Sequence, residues 1–232
     1  GGVKVRPTFR ADQRFKEGAA KSELEKRLDY FVEKGCKIVD YGFDFIDEGD
    51  DNLVWLIENC YKRKMLLQLH FGTFRNVNAK MYERCGKDSG FDIMRGAINT
   101  DKLAKILDRE NMRLGGLPKI VVYPLNDYDL RALGALTGAF PQVKLGAAWW
   151  FNDTVNGIKR QLETAAEYSA LGTQYGMLTD SRSFSSYVRF DFYRRILSSF
   201  IGERVKNGEY DEAAAIALAR KIAYENIKAA LL

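Results

Sequence analysis

MLLQLHFG, residues 65–72, is a nearly unbroken apolar run that ends in a histidine and a glycine. KIVVYPL, residues 119–125, repeats the pattern. A strand with one wet face alternates apolar and polar residues, whereas a parallel strand covered on both faces reads as continuous hydrophobic sequence. Working outward from these two runs, six short segments end in residue types that an α/β rim uses. Arg10 closes VKVRPTFR, Asp40 closes CKIVD, His70 closes MLLQLH, Asn126 closes KIVVYPLN, Trp150 closes VKLGAAWW and Asp180 closes YGMLTD. Most of these ends lie about one βα unit apart, roughly 30 residues. Barrels and open α/β sheets place their chemistry at the C-terminal ends of strands, so the layout is that of an enzyme.

The intervening sequence supplies helices. SELEKRLDYFVEK (22–34) sets Leu24, Leu28, Phe31 and Val32 at helical spacing and stops at Gly35. An acidic loop, FDFIDEGDD, follows CKIVDYG, and Asn52 is the expected N-cap of a helix through Lys62. Helices are also expected over 100–110, 130–140, 157–171, 184–204 and 211–230. The stretch 72–99 is expected to be a long loop without regular structure, and such loops are usually functional. Alternating units of this kind imply right-handed crossovers and one parallel sheet in a single domain over residues 1–232. Six strands do not close an eight-stranded barrel, so the chain is expected to lack about two βα units at its N-terminus.

Composition limits the function classes. The net charge of +5 is mild and the basic residues are interspersed with acidic ones, which argues against nucleic-acid binding. No apolar stretch approaches the ~20 residues of a membrane span. Three cysteines without CxxC spacing argue against a disulfide framework or a zinc-cysteine site and suit a reducing, cytoplasmic setting. The chain has one histidine. At a strand end, its neutral imidazole is a natural metal ligand or proton carrier. Asp180 in TDSR can ligate a metal, take a proton or cap the following helix. Arg10, Arg75 and Arg182 would make the rim select anions. Two adjacent tryptophans cannot face the same way, so one of Trp149 and Trp150 should face the rim and the other the helices. Asn152 and Asp153 are read as substrate contacts or as caps, and GAAW as a close backbone approach. RFDFYRRIL (189–197) reads as an amphipathic helix whose arginines form a solvated or interface face.

PTFRAD (7–12), QLHFGTFRN (68–76), GKDSGFD (86–92), GAAWWFND (146–153), GMLTDSRSF (176–184) and RFDFYRRIL resemble, in order, the C-terminal half of the uronate isomerases of the amidohydrolase superfamily. The resemblance implies a (β/α)8 TIM barrel of the metal-dependent hydrolase superfamily, with about six βα units in this chain. It implies interconversion of an aldose and a ketose hexuronate, such as D-glucuronate and D-fructuronate, or D-galacturonate and D-tagaturonate. It also implies a divalent metal, often zinc, held by a first-strand His-x-His pair and by Asp180, with His70 a further ligand. On the same pattern Asp180 and His70 are catalytic, while Arg10, Arg75, Trp150 and Arg182 bind the sugar acid. Four departures stand out: QLHFGTFRN replaces the usual QLHIGALRN, Asp40–Tyr41 replaces an Asp-His pair, the stretch from Gly42 to Met65 is short, and no His-x-His pair is present. The expected state is a homo-oligomer or association with a missing N-terminal half. The rival expectations are a metal-dependent hydrolase of the same superfamily and a catalytically incomplete structural half.

Overall fold

The computed structural model describes residues 5–43, 46, 49–181 and 183–231. In chain order the elements are β1 (Thr8–Arg10), α1 (Asp12–Lys16), α2 (Lys21–Glu33), β2 (Ile38–Phe43), α3 (Asp51–Lys62) and β3 (Leu66–Phe71). Then come β4 (Thr73–Phe74), α4 (Ala79–Cys85), β5 (Ile93–Met94), α5 (Thr100–Leu114), β6 (Lys119–Pro124), α6 (Leu130–Ala139) and β7 (Val143–Leu145). The chain closes with α7 (Val155–Tyr168), α8 (Val188–Lys206), α9 (Glu212–Arg220), a π-turn at Lys221–Glu225 and α10 (Asn226–Leu231).

Five of the strands form one parallel sheet in the order β1-β2-β3-β6-β7. Alternation along each strand divides the sheet into two faces. Phe9, Val39, Tyr41, Leu67, Leu69, Phe71, Ile120, Val122, Val143 and Leu145 belong to one large core with Leu24, Leu28, Leu53, Leu56, Leu103, Ile106, Leu133 and Leu162 of the helices. A second, small cluster of Leu66, Val121, Tyr123 and Tyr175 occupies the other face, where Ile227 and Ala230 of α10 pack against it. Above this plug, at the C-terminal ends of the strands, polar residues take over the same face. The parallel register sets Arg10, Asp40 and Gln68 in one row and Gly42, His70 and Tyr123 in the next. This is the parallel sheet that the strand runs predicted, and it is consistent with the partial (β/α)8 barrel that the resemblance implies.

Several expectations need correction. The sixth strand is not formed, because residues 174–180 carry no regular structure. Gly176 lies so close to the C-terminal segment that a Cβ would stand 2.8 Å from the Ile222 carbonyl oxygen. Asp180 at φ 45° lies in the left-handed region, which no strand continues through. VKLGAAWW is strand only to Leu145; residues 146–149 carry no regular structure, and Trp150, at φ 52°, opens a 3-10 turn. Residues 5–7 are likewise outside β1, where Pro7 can donate no ladder bond. The stretch 72–99 is an ordered excursion. β4 and β5 pair antiparallel within it, α4 sits between them, and the Arg95 amide returns to the Gly72 carbonyl at 2.8 Å.

Asp50, not Asn52, caps α3, its carboxylate accepting from the amides of Asn52 and Leu53. The helix expected over 184–204 begins as a 3-10 turn, and that over 211–230 is interrupted by the π-turn. Asp44, Phe45, Asp47 and Glu48 of the acidic loop lie outside the described residues, as does Arg182. No described helix is long and apolar enough to cross a membrane.

Candidate functional site

A cavity of about 350 Å3 opens on the face of the sheet opposite the large core, beyond the small cluster covered by α10, and is lined by Thr8, Arg10, Asp40, Gln68, His70, Tyr123, Trp149, Leu178 and Asp180. His70 is its centre. The imidazole Nδ1 stands 3.1 Å from Asp40 Oδ1, with both side chains largely buried. Its register partner on β2 is Gly42, and a Cβ there would lie 2.3 Å from Nε2. Glycine at that position is what lets the ring lie across β2. The edge of Trp149 meets the imidazole at 5.6 Å between centroids.

Arg10 enters from β1. Its guanidinium donates to both carboxylate oxygens of Asp12, at 2.9 and 3.2 Å, and lies 3.7 Å from Asp40. Hydrogen bonding to Asp12 raises its pKa further, and the charges of Asp12, Asp40 and Asp180 act in the same direction. The cavity therefore has a charged side made of Arg10, Asp40 and Asp180. Its other side is neutral: Gln68 Nε2 donates to the Tyr123 hydroxyl at 3.3 Å.

A larger outer cavity shares Arg10, Trp149 and Asp180 with the first and extends to Arg75, Asp88, Asp92 and Trp150. The excursion over 73–98 supplies Arg75, which pairs with Asp88 at 3.0 Å and Asp92 at 3.5 Å. Arg75 also covers a face of Trp150 at 4.7 Å, while Phe151 stacks on that ring at 5.0 Å and 12°. Trp150 is thus held by protein contacts while it lines the outer cavity.

The structure brings Asp180, His70 and Arg10 to one cavity. It places Arg75 and Trp150 at the outer mouth, and Arg182 falls outside the described residues. Asn126 is not at the site. It is fully buried, donates to the carbonyls of Arg95 and Gly96, and accepts from the Asp129 amide. Asp129 in turn accepts from the Ile98 amide, so the pair latches the excursion to the end of β6. Asn152 neither caps a helix nor faces a substrate: its amide donates to the Pro124 carbonyl, and Thr154 caps α7. Asp153 pairs with Arg189 of α8, so one arginine of RFDFYRRIL is bound under the outer cavity instead of solvated. Gly146 does mark a close approach, since a Cβ there would lie 2.2 Å from the Tyr123 ring.

Sequence reasoning missed Gln68 and Tyr123 as cavity residues, and of the two tryptophans it is Trp149 that lines the inner cavity. Gln68 was within reach, because it stands two residues before His70 and so shares its face. Tyr123 required the β3–β6 register, which no local pattern carries.

For a divalent metal, His70 and Asp180 are two donors of the right chemistry on one cavity. Among the described residues no group of three or more His, Cys, Asp or Glu is gathered to hold an ion. These donors alone therefore do not make up a ligand set; by themselves they can handle protons, while Arg10 beside them offers a cation to an anion.

A family model for glucuronate isomerase matches residues 50–230, most of the chain. The chain belongs to the glucuronate isomerase family. It is 33% identical over 247 residues to the uronate isomerase of Mannheimia succiniciproducens, an alignment covering 90% of this chain and 53% of that protein. Two solved structures superpose closely. The uronate isomerase of Thermotoga maritima gives a TM-score of 0.82 at 28% identity, covering 91% of this chain and 53% of that one. The glucuronate isomerase of Caulobacter crescentus gives 0.81 at 26%, covering 91% and 50%. This glucuronate isomerase family chain thus spans about half the length of the relatives it matches.

Proposed function

We propose that this chain carries the substrate-binding and proton-handling half of a hexuronate isomerase, interconverting aldose and ketose forms such as D-glucuronate and D-fructuronate. The observation that carries the reading is the convergence of Arg10, His70, Asp40 and Asp180 on one cavity in a chain of this family. Arg10 offers a cation for the sugar acid's carboxylate beside groups able to accept and return a proton. The isomerisation moves one proton from C2 to C1 and one between the oxygens O2 and O1, through an enediol, with no net change in charge. Asp180 and the Asp40-oriented His70 are the groups placed to move those protons. Arg75 and Trp150 shape the outer mouth, and Arg182 belongs to the proposal as a further residue binding the sugar acid. A divalent metal such as zinc belongs to the same proposal, with Asp180 and His70 as two donors and the remaining ligands coming from other residues. The substrate is a small sugar acid.

The test is exchange of the C2 proton of D-glucuronate with deuterated solvent, followed by NMR together with ketose formation. Asp180→Asn should abolish both while the fold is retained. Arg10→Met should weaken uronate far more than a neutral hexose, by about tenfold to a hundredfold for the loss of a charge-assisted bond. Equal losses on both sugars, or full exchange in Asp180→Asn, would overturn the reading.

A further inference from the structure

Tyr123 is built into the cavity wall with unusual care for a residue with no assigned role. Its ring occupies space that exists only because Gly146 lacks a side chain. It is 5% exposed, yet it lines the cavity beside His70 and Trp149. Its hydroxyl accepts the Gln68 amide proton at 3.3 Å. A phenol has both acceptor and donor capacity, and the bond from Gln68 uses only the first. Leaving a buried polar hydrogen unmatched is unfavourable, so a donor at a cavity surface favours any ligand oxygen that reaches it. Burial, aided by the charge of Asp40, moves the phenol above its ordinary range, so the proton stays in place at working pH.

We propose that Tyr123, set by Gln68, is a substrate-contact residue that donates a hydrogen bond to a hydroxyl of the bound sugar acid. It forms the neutral wall opposite the charged side of Arg10, Asp40 and Asp180. The inference rests on the isomerase reading and assigns the part of the site that recognises the polyol instead of the carboxylate. A cavity that hydrogen-bonds a substrate hydroxyl discriminates against the analogue lacking it, because its own polar group is then left unpaired.

Binding of D-glucuronate and of its monodeoxy analogues, measured by calorimetry on wild type and Tyr123→Phe, tests the contact. The variant removes one oxygen and should melt with wild type. It should bind D-glucuronate about two- to twelvefold more weakly, the range of one neutral hydrogen bond. One deoxy analogue should bind both proteins equally, which identifies the hydroxyl. Gln68→Leu, which frees the tyrosine to turn away, should lose discrimination against that same analogue. An equal loss on every analogue, or no loss at all, overturns the assignment of Tyr123. If Arg10→Met still weakens uronate selectively in that case, the isomerase reading stands without it. Wild type that binds uronate no better than neutral hexose overturns both.

Discussion

Gly42→Ala is the most informative single change in this site. Gly42 lies within β2, where its backbone makes no demand that alanine cannot meet. The added Cβ would fall 2.3 Å from His70 Nε2, 2.9 Å from Cε1 and 3.0 Å from Cδ2. Ordinary van der Waals contact begins at 3.4 Å, so the ring edge must retreat by about 1.1 Å, the difference between that and the closest approach. The bond from Nδ1 to Asp40 is already 3.1 Å long, and a retreat of that size takes it out of hydrogen-bond range. A bond to a charged partner is worth about 1.5–3 kcal/mol, so function through His70 should fall about tenfold to a hundredfold. Global stability should change less: overpacking costs about 1–3 kcal/mol, and Gly→Ala restores about 0.5–1 kcal/mol through the unfolded chain. Because the chain has one histidine, a long-range proton–nitrogen correlation spectrum contains a single imidazole and reads its tautomer directly. The tautomer mixture should shift in Gly42→Ala, in parallel with a loss of the uronate turnover proposed above. An unchanged imidazole spectrum with unchanged turnover would refute the packing argument.

Three further outcomes follow from residues around the site. Asn126→Ala should cost about 1–3 kcal/mol in urea unfolding, because three buried bonds lose their partner, and proteolysis should then concentrate within residues 73–98. Burial raises the pKa of Asp129, so its stabilising share is complete below the ordinary aspartate value and is lost as pH rises through the raised one. Asp129→Asn, whose carbonyl still accepts from Ile98, should therefore be at least as stable as wild type at pH 7, with a flatter stability profile just above the usual carboxylate range, both readable from thermal melts. Arg189→Met should cost between the ~1 kcal/mol of an exposed pair and the ~3 kcal/mol of a buried one, since Arg189 is 36% exposed and Asp153 only 17%. The same variant should alter the near-ultraviolet dichroism of the Trp149–Trp150 turn, and Arg189→Lys should restore much of it.

Local pattern carried the sheet and the rim. The apolar runs at 65–72 and 119–125, the βα spacing and the strand-end positions of Arg10 and His70 were legible because burial on two faces and period-two alternation are written into neighbouring residues. What lay between distant segments was not legible. The room for His70 is made by Gly42, 28 positions earlier, and the room for Tyr123 by Gly146, 23 positions later, each through contacts between parallel strands or just past their ends. GMLTD has a strand's composition yet makes no ladder, because a strand exists only with a hydrogen-bonded neighbour and this segment packs instead on the C-terminal helical turn. Asn126 sits at a strand end like a catalytic residue but points into the latch, and Arg189 sits on an arginine-rich helix face but is drawn beneath Asp153. Sequence determined which residues could reach the rim, because their periodicity is local. Tertiary structure decided which of them meet, because register and close approach depend on chain segments that no short window contains.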